Sequence, residues 1–256
     1  MANLRDEGIC VRHWDWSETS QTVSLLTREH GLVRGLAKGS RREKGAFSGG
    51  IELLTRGELL AISKPRSDLL TLTSWDLRDP FRGLRSSLGG FHAGMYLADL
   101  ILCMISDHDP HPRVYEALDG ALGLLSQGQA HARSPLGVVL GFQWAILSET
   151  GTNPDLDSDI RSGGPMAEGD VLAFVPGHGG FTRDGDAGWR VRRGTVEVLR
   201  LVRKNEGSSP VAEVEASESV ERAVRLLGAY VEHLTGRGSR TLAPLLRVAS
   251  DSSGAE

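Results

Sequence analysis

The 256-residue chain has only two cysteines, Cys10 and Cys103, and both sit inside apolar runs. That excludes a disulfide scaffold and points to buried free thiols in a reducing compartment. No apolar run approaches the roughly 18 residues that a membrane-spanning helix needs. The longest candidate, from Met95 to Ile105, is short and carries Asp99. The opening Met-Ala-Asn-Leu-Arg-Asp-Glu lacks the cationic and apolar regions of a signal peptide, so a cytoplasmic location is expected. Net charge is only −4, so an anionic partner has to be held by a local patch rather than by the whole surface.

Catalytic signatures are missing as well. There is no HExxH, no GxxxxGK[ST] phosphate loop, no GxSxG elbow and no Cys/His set for nucleophilic catalysis. Asp155 and Asp157 read as loop charges rather than an acid/base couple. Asp107-His108-Asp109-Pro110-His111 sits at a helix break and reads as a turn, with Asp107 or Asp109 near the next helix start, rather than as a ligand cluster. His178 is an isolated loop histidine. No catalytic centre and no metal site is nominated, and the chain is not expected to be an enzyme.

What is present begins with strands. Gly8–Trp14, Thr19–Thr27, Leu32–Ala37, Ile51–Ile62 and Leu69–Leu77 alternate or run apolar between polar turns. One turn lies at Asp15-Trp16-Ser17-Glu18, and another at Arg28-Glu29-His30-Gly31, where Gly31 is free to take positive φ. Five short strands in about eighty residues suit a small closed barrel, most commonly of OB type. From Arg82 the spacing turns helical. Leu84, Leu88, Phe91, Met95 and Leu97 begin a stripe that runs to Met104. Further helices are predicted over Arg113–Leu125, Pro135–Ser148, Gly194–Arg203, Ser219–Leu234 and Arg240–Arg247. Gly151–Gly188 is rich in Gly and Asp and reads as an irregular insertion with one or two short strands, such as Val171–Val175. The class is therefore α+β. A five-stranded OB-fold barrel over 1–80 precedes a helical domain over 81–248 with an insertion at about 151–190, and a disordered tail over 249–256.

The functional feature that stands out is the stretch Lys38–Gly50, read as a flexible basic loop joining strands three and four. With Arg34 it offers five cations in eleven residues: Arg34, Lys38, Arg41, Arg42 and Lys44. Such a cluster on a net-acidic chain binds phosphates through counterion release, unless it only solubilises the loop. Arg12, Lys64 and Arg66 extend the candidate track. Trp75 reads as barrel core. Trp14 and Trp16 flank a turn and either pack the barrel mouth or stack bases.

The run Ser24-Leu25-Leu26-Thr27-Arg28-Glu29-His30-Gly31-Leu32-Val33-Arg34-Gly35-Leu36-Ala37-Lys38-Gly39-Ser40-Arg41-Arg42 resembles the N-terminal signature of the bacterial recombination mediator family RecO. Leu70-Thr71-Leu72-Thr73, Asp79-Pro80-Phe81-Arg82-Gly83-Leu84-Arg85, Tyr96-Leu97, His111–Leu118, Leu140-Gly141-Phe142 and Asn153–Asp157 follow in matching order, so the similarity spans most of residues 5–247. The resemblance implies an N-terminal OB fold with a helical domain. It also implies binding to single- and double-stranded DNA, annealing of complementary strands, and partnership with RecR and the SSB C-terminal tail in loading RecA, on the nucleoid. No bond-breaking activity is implied.

One departure stands out. Many members carry two CxxC pairs that hold a structural zinc, a closed tetrahedral thiolate site. Here Asp159 and Ser162 fall where the first pair would lie, and Arg183 and Asp186 where the second would, with no cysteine in the region. No zinc is expected. The insertion is expected to be held by Phe174, Phe181 and Trp189, or by an ion pair of Arg183 with Asp159 or Asp186. The reading is a DNA-annealing mediator whose basic loop grips phosphates. The rival readings are a protein–protein adaptor without DNA binding, or a hydrolase using His111 or His178. For the hydrolase no base–orienter–nucleophile set can be assembled.

Overall fold

The computed structural model describes residues 2–42, 45–47, 49–64, 67, 69–127, 134–166, 169–183, 188–206, 215 and 217–253. Five strands open the chain: β1 (Ala2–Ser17), β2 (Ser20–Thr27), β3 (Gly31–Ala37), β4 (Arg56–Ser63) and β5 (Leu70–Asp79). They close into a barrel in the order β1-β2-β3-β5-β4, which is the expected five-stranded OB-type architecture. β1 closes it by serving two partners. Ala2–Ile9 pair with β4, and Gly8–Ser17 pair with β2.

Three bulges decide which side chains fill the barrel. In β1, Cys10 pairs with Leu25 but Arg12 pairs with Ser24, so Val11 is an extra residue. A second shift between Asp15 and Ser17 leaves Trp16 unpaired. In β5, Ala61 of β4 faces Leu72 while Leu60 faces Ser74, so Thr73 is extra. That third bulge brings Trp75 onto the same inward face as Leu70 and Leu72, where it is buried with Cys10, Val23, Leu25, Val33 and Leu59. Simple alternation would have set Trp75 against Leu72, on the opposite face. Burial pushes the Cys10 thiol up to about 12, consistent with an inert core thiol.

Two strand expectations need correction. β1 extends to both sides of Gly8–Trp14, and the first hairpin turns at Glu18-Thr19 rather than at Asp15. β4 begins at Arg56, not Ile51, because Leu54 takes a left-handed φ of 57° that breaks the extended backbone.

A 3-10 turn over Arg82–Ser86 leads to α1 (Leu88–Met104) and α2 (Pro112–Ser126). Ser87 caps α1, its hydroxyl accepting from the Gly90 amide at 3.2 Å. Pro112 supplies the preset φ at the start of α2, preceded by His111, and no aspartate side chain caps that helix among the described residues. The strand pattern stops near residue 80. Packing carries the first compact unit to Gly128, because α1 lies against β1 and α2 against β2.

The second unit, Gln129–Glu256, holds α3 (Pro135–Glu149), α4 (Arg193–Lys204), α5 (Glu218–Thr235) and α6 (Leu242–Ser253). Ser217 caps α5 with Glu218 and Glu221 in its first turn, and Gly236 ends it at φ 64°. The expected irregular insertion is instead a four-stranded sheet, which includes the expected strand Val171–Val175. Its strands β6 (Asp155–Asp159), β7 (Val171–Val175), β8 (Gly180–Thr182) and β9 (Trp189–Arg192) lie in the order β6-β8-β7-β9. Strands of three to five residues leave too few positions for a periodic signal. Their core is the expected aromatic set: Phe174 lies 5.0 Å from Phe181 and 5.8 Å from Trp189, ring centre to ring centre. α6 runs to Ser253, so residues 249–253 of the expected tail are helical. Among the described residues no helix is long and apolar enough to cross a membrane.

A Cβ at Gly57 of β4 would sit 2.6 Å from the Trp75 ring and 2.8 Å from the Asp76 carbonyl oxygen. Gly57→Ala is therefore expected to destabilise the protein by about 1–3 kcal/mol through overpacking. Urea unfolding measures this, and an unchanged midpoint would mean that the buried ring can yield.

Candidate nucleic-acid interface

The first bulge does more than fill the core. Without Val11 as an extra residue, Arg12 would face the barrel interior beside Val23. With it, Arg12 and Trp14 point outward. The registers then align Arg12 with Ser24 on β2 and Ser24 with Arg34 on β3. One step along, Trp14, Thr22 and Leu36 form a second outward row. At ordinary strand spacing, Arg12 and Arg34 stand about 10 Å apart across β2. The outer face of β1–β3 thus carries a row of cations beside a tryptophan.

The basic segment continues from the end of β3. Ala37 of β3 and Ala61 of β4 both pair with Leu72, but β3 runs parallel to β5 and β4 antiparallel to it, so Lys64 leaves the barrel at the opposite end from Lys38, which leaves at the mouth that carries the first hairpin. The segment is not the free loop expected from its composition. Gln21, 3% exposed, points into this mouth and clips both ends of the segment. Its carbonyl accepts from the Ser40 hydroxyl and from the Ile51 amide, both at 3.0 Å, and its own NH₂ donates to the Ile51 carbonyl at 3.3 Å. The Gly39 amide donates to the Ser20 hydroxyl at 3.2 Å. Phe47 is buried in the barrel core, and the Ala46 carbonyl accepts from the Trp75 amide at 2.9 Å. An anchored loop carries the cations because its polar ends and one aromatic satisfy the mouth.

Arg34 is exposed and pairs with Asp107 at 3.1 Å. Arg41 donates to Asp15 at 2.6 Å, and its amide donates to the Thr19 carbonyl at 3.1 Å, so the loop is tied to the first hairpin. Arg12, Lys38, Arg42 and Lys64 are exposed. Lys44 and Arg66 lie outside the described residues. Asp107-His108 lies against the start of β3: the His108 amide donates to the Leu32 carbonyl at 2.9 Å. Gly31, at φ 71°, allows this approach, since a Cβ there would fall 2.2 Å from the Asp109 carbonyl oxygen. Reading by composition missed Gln21, Phe47, Asp15 and Asp107. Gln21 carried a signal: it is the one amide among the inward positions that alternate with Val23 and Leu25.

The sequence comparisons identify the family. A family model described as Recombination protein O N terminal matches residues 1–81, and one described as Recombination protein O C terminal matches residues 85–243. The chain belongs to the RecO family. It is 31% identical over 243 residues to the DNA repair protein RecO of Anaeromyxobacter dehalogenans (strain 2CP-C), covering 93% of each. It is 27% identical over 252 residues to the DNA repair protein RecO of Myxococcus xanthus (strain DK1622), covering 98% of this chain and all of the relative. It is 38% identical over 146 residues to the DNA repair protein RecO of Rhodopirellula baltica, a match that covers 53% of that protein.

The position where the family resemblance would place two CxxC pairs holds a carboxylate. Asp159 is buried at the end of β6. Its Oδ1 accepts from the Arg161 and Ser162 amides at 2.9 and 3.0 Å and from the Thr182 hydroxyl at 3.3 Å, and its Oδ2 accepts from the Arg183 amide at 2.9 Å. One side chain therefore spans both arms that the two CxxC pairs would occupy. The expected ion pair is corrected: Arg183 binds Asp159 through its backbone, and no ion pair joins the two side chains among the described residues. Asp186 lies outside the described residues. These residues do not fit zinc. The centre is ringed by hydrogen-bond donors aimed at one carboxylate, and no group of three or more His, Cys, Asp or Glu is poised for a metal among the described residues.

Two expectations follow. Gln21→Leu removes the acceptor of the buried Ser40 hydroxyl and the Ile51 amide, and should cost about 1–3 kcal/mol. Limited proteolysis should then cut near the basic segment at rates the wild type does not show. Asp159 is the second case. The Ser162 and Arg183 amides hold its carboxyl well below the usual range. A depressed native pKa means that its stabilisation is complete above the ordinary aspartate value of about 3.9 and is lost as pH falls below it. Asp159→Asn should be less stable at neutral pH and should show a flatter acid limb in thermal melts between about pH 4 and pH 2. Parallel acid limbs would remove the carboxylate from this role.

Proposed function

We propose that this RecO-family chain is a DNA-binding recombination mediator in DNA repair. In this reading it binds single- and double-stranded DNA, anneals complementary strands and helps load recombinase on SSB-coated DNA in the cytoplasm. The observation that carries the proposal is the outward Arg12–Ser24–Arg34 row, continued by Lys38, Arg41 and Arg42 on an anchored segment at one barrel mouth. On a chain of net charge −4, this concentrates positive potential on one face. The face of strands two and three, with the neighbouring loops, is where OB barrels take oligonucleotides. Neutralising phosphates on two strands lowers their mutual repulsion, and base pairing then supplies the sequence specificity. The chain's own part is electrostatic and positional, and no bond is broken. RecR and the SSB C-terminal tail are proposed as protein partners on the strength of family membership, and RecA as an indirect one.

The adaptor reading has one observation in its favour. Arg34 and Arg41 are already paired, with Asp107 and Asp15, which reduces the free charge on this face. Titration of a labelled single-stranded oligonucleotide at several salt concentrations separates the two. Wild-type affinity should fall steeply with salt. The triple variant Lys38→Ala, Arg41→Ala, Arg42→Ala should reduce the log–log slope by about two, at about 0.7 per phosphate contact. A wild type that does not bind even at low salt would favour the adaptor.

A further inference from the structure

The first hairpin carries two exposed tryptophans that the fold does not use. Trp14 is 43% and Trp16 65% exposed, whereas Trp75 and Trp144 are each 2% exposed. Indole surface left in water forgoes the burial that makes tryptophan favourable in a core, so an exposed pair on one hairpin points to a ligand. Both owe their position to bulges. The extra residue Val11 turns Trp14 outward, and Trp16 is itself the extra residue of the second bulge. Bulges re-aim side chains near binding sites.

What surrounds the pair selects the occupant. Arg12 stands two residues before Trp14 on the same outward face, and Arg34 closes the neighbouring row. The hairpin is bound to the basic segment at two points, Arg41 to Asp15 by side chain and Arg41 to Thr19 by backbone. Arg12, Lys38 and Arg42 are exposed and have no ion-pair partner among the described residues. Asp15 and Glu18 are the acids of the hairpin, and Asp15 is taken up by Arg41. Flat apolar rings beside unneutralised cations match a chain of π-faced bases on a phosphate backbone. They do not match an acidic peptide, which offers charge without faces, or an apolar one, which offers no charge.

We propose that Trp14 and Trp16 are a base-stacking platform for single-stranded nucleic acid, with Arg12 and the Lys38–Arg42 segment holding the flanking phosphates. This rests on the DNA-binding reading and gives it a preference. Stacking needs unpaired bases, so the hairpin favours single strands over duplex, in which the bases are already stacked. Phosphate contacts alone carry no such preference.

The experiment compares an oligothymidylate with an abasic phosphodiester strand of equal length and charge, at fixed salt. The proteins are wild type, Trp14→Ala/Trp16→Ala and Trp14→Phe/Trp16→Phe. Wild type should bind the oligothymidylate more tightly than the abasic strand, with quenching of its exposed-tryptophan fluorescence. The alanine pair should lose about tenfold or more in affinity for the base-bearing strand, with the abasic strand and the salt slope unchanged. The phenylalanine pair, which keeps an aromatic face, should recover part of the loss. Equal wild-type affinity for both strands would overturn the platform and leave the phosphate grip standing, the tryptophans then being a protein-docking surface. Equal loss on both strands in the alanine pair would also overturn it. No binding of either strand by wild type at low salt would overturn the platform together with the DNA-binding reading.

Discussion

The first unit depends on one strand serving two partners. β1 closes the barrel only because its first half pairs with β4 and its second half with β2, with Gly8 and Ile9 bonded into both ladders. At that crossing there is little room: a Cβ on Gly8 would lie 3.2 Å from Leu59 and 3.4 Å from Thr27. A strand bent this sharply has to shed register, and it does so immediately afterwards at Val11. The constraint of closure therefore also places the candidate interface. The bulge that lets β1 change partners is the one that turns Arg12 and Trp14 out of the barrel. Geometry required by the fold and geometry useful to a ligand come from the same extra residue.

The mouth of the barrel follows a second rule, that a buried amide must find partners. Gln21 sits where a hydrophobic residue would continue the Val23–Leu25 face, and it is satisfied only by holding the two ends of the basic segment. Phe47 adds an apolar plug to the same segment. A loop anchored in this way has already lost much of the conformational entropy that a free loop would lose on binding. Cations on an anchored loop are thus worth more to a ligand than the same cations on a flexible one. Composition alone, which shows glycine and charge, gives the opposite impression.

The legible and illegible parts of the chain divide along physical lines. Strand content, the α1–α5 helices and the basic cluster follow from periodicity and residue type, which act locally. The strand order, the bulges and the burial of Trp75 depend on pairing between distant segments, and no local pattern marks Thr73 or Val11 as extra. Leu54 is a sharper case. It is an apolar residue in an apolar run, yet its left-handed backbone delays the start of β4 to Arg56, five residues after Ile51. Of the small sheet of the second unit only Val171–Val175 was legible, and the other strands escaped because they are too short to show alternation. The loss of the cysteine pairs was plain in the sequence, but what replaced them was not. Asp159 stood out only as a residue at a metal-ligand position, and its role rests on backbone amides that no sequence pattern displays.

The ion pairs on the candidate face bear on how strongly it can hold a strand. Exposed pairs such as Arg34–Asp107 and Arg41–Asp15 contribute little to folding. They do fix where each guanidinium sits. A phosphate approaching such a residue has to share the guanidinium with a carboxylate or displace it, so the net gain per contact is smaller than at a free cation. For the proposed annealing function that is an advantage, because a strand gripped too tightly cannot be released once it has paired. The proposed division of labour follows from this. In it, Arg12, Lys38 and Arg42, which have no ion-pair partner among the described residues, would supply affinity, the paired cations would supply position, and the tryptophans would distinguish bases that are still free from bases already stacked in duplex. Under that proposal, annealing would remove the very feature that the hairpin is proposed to recognise, because paired bases are already stacked.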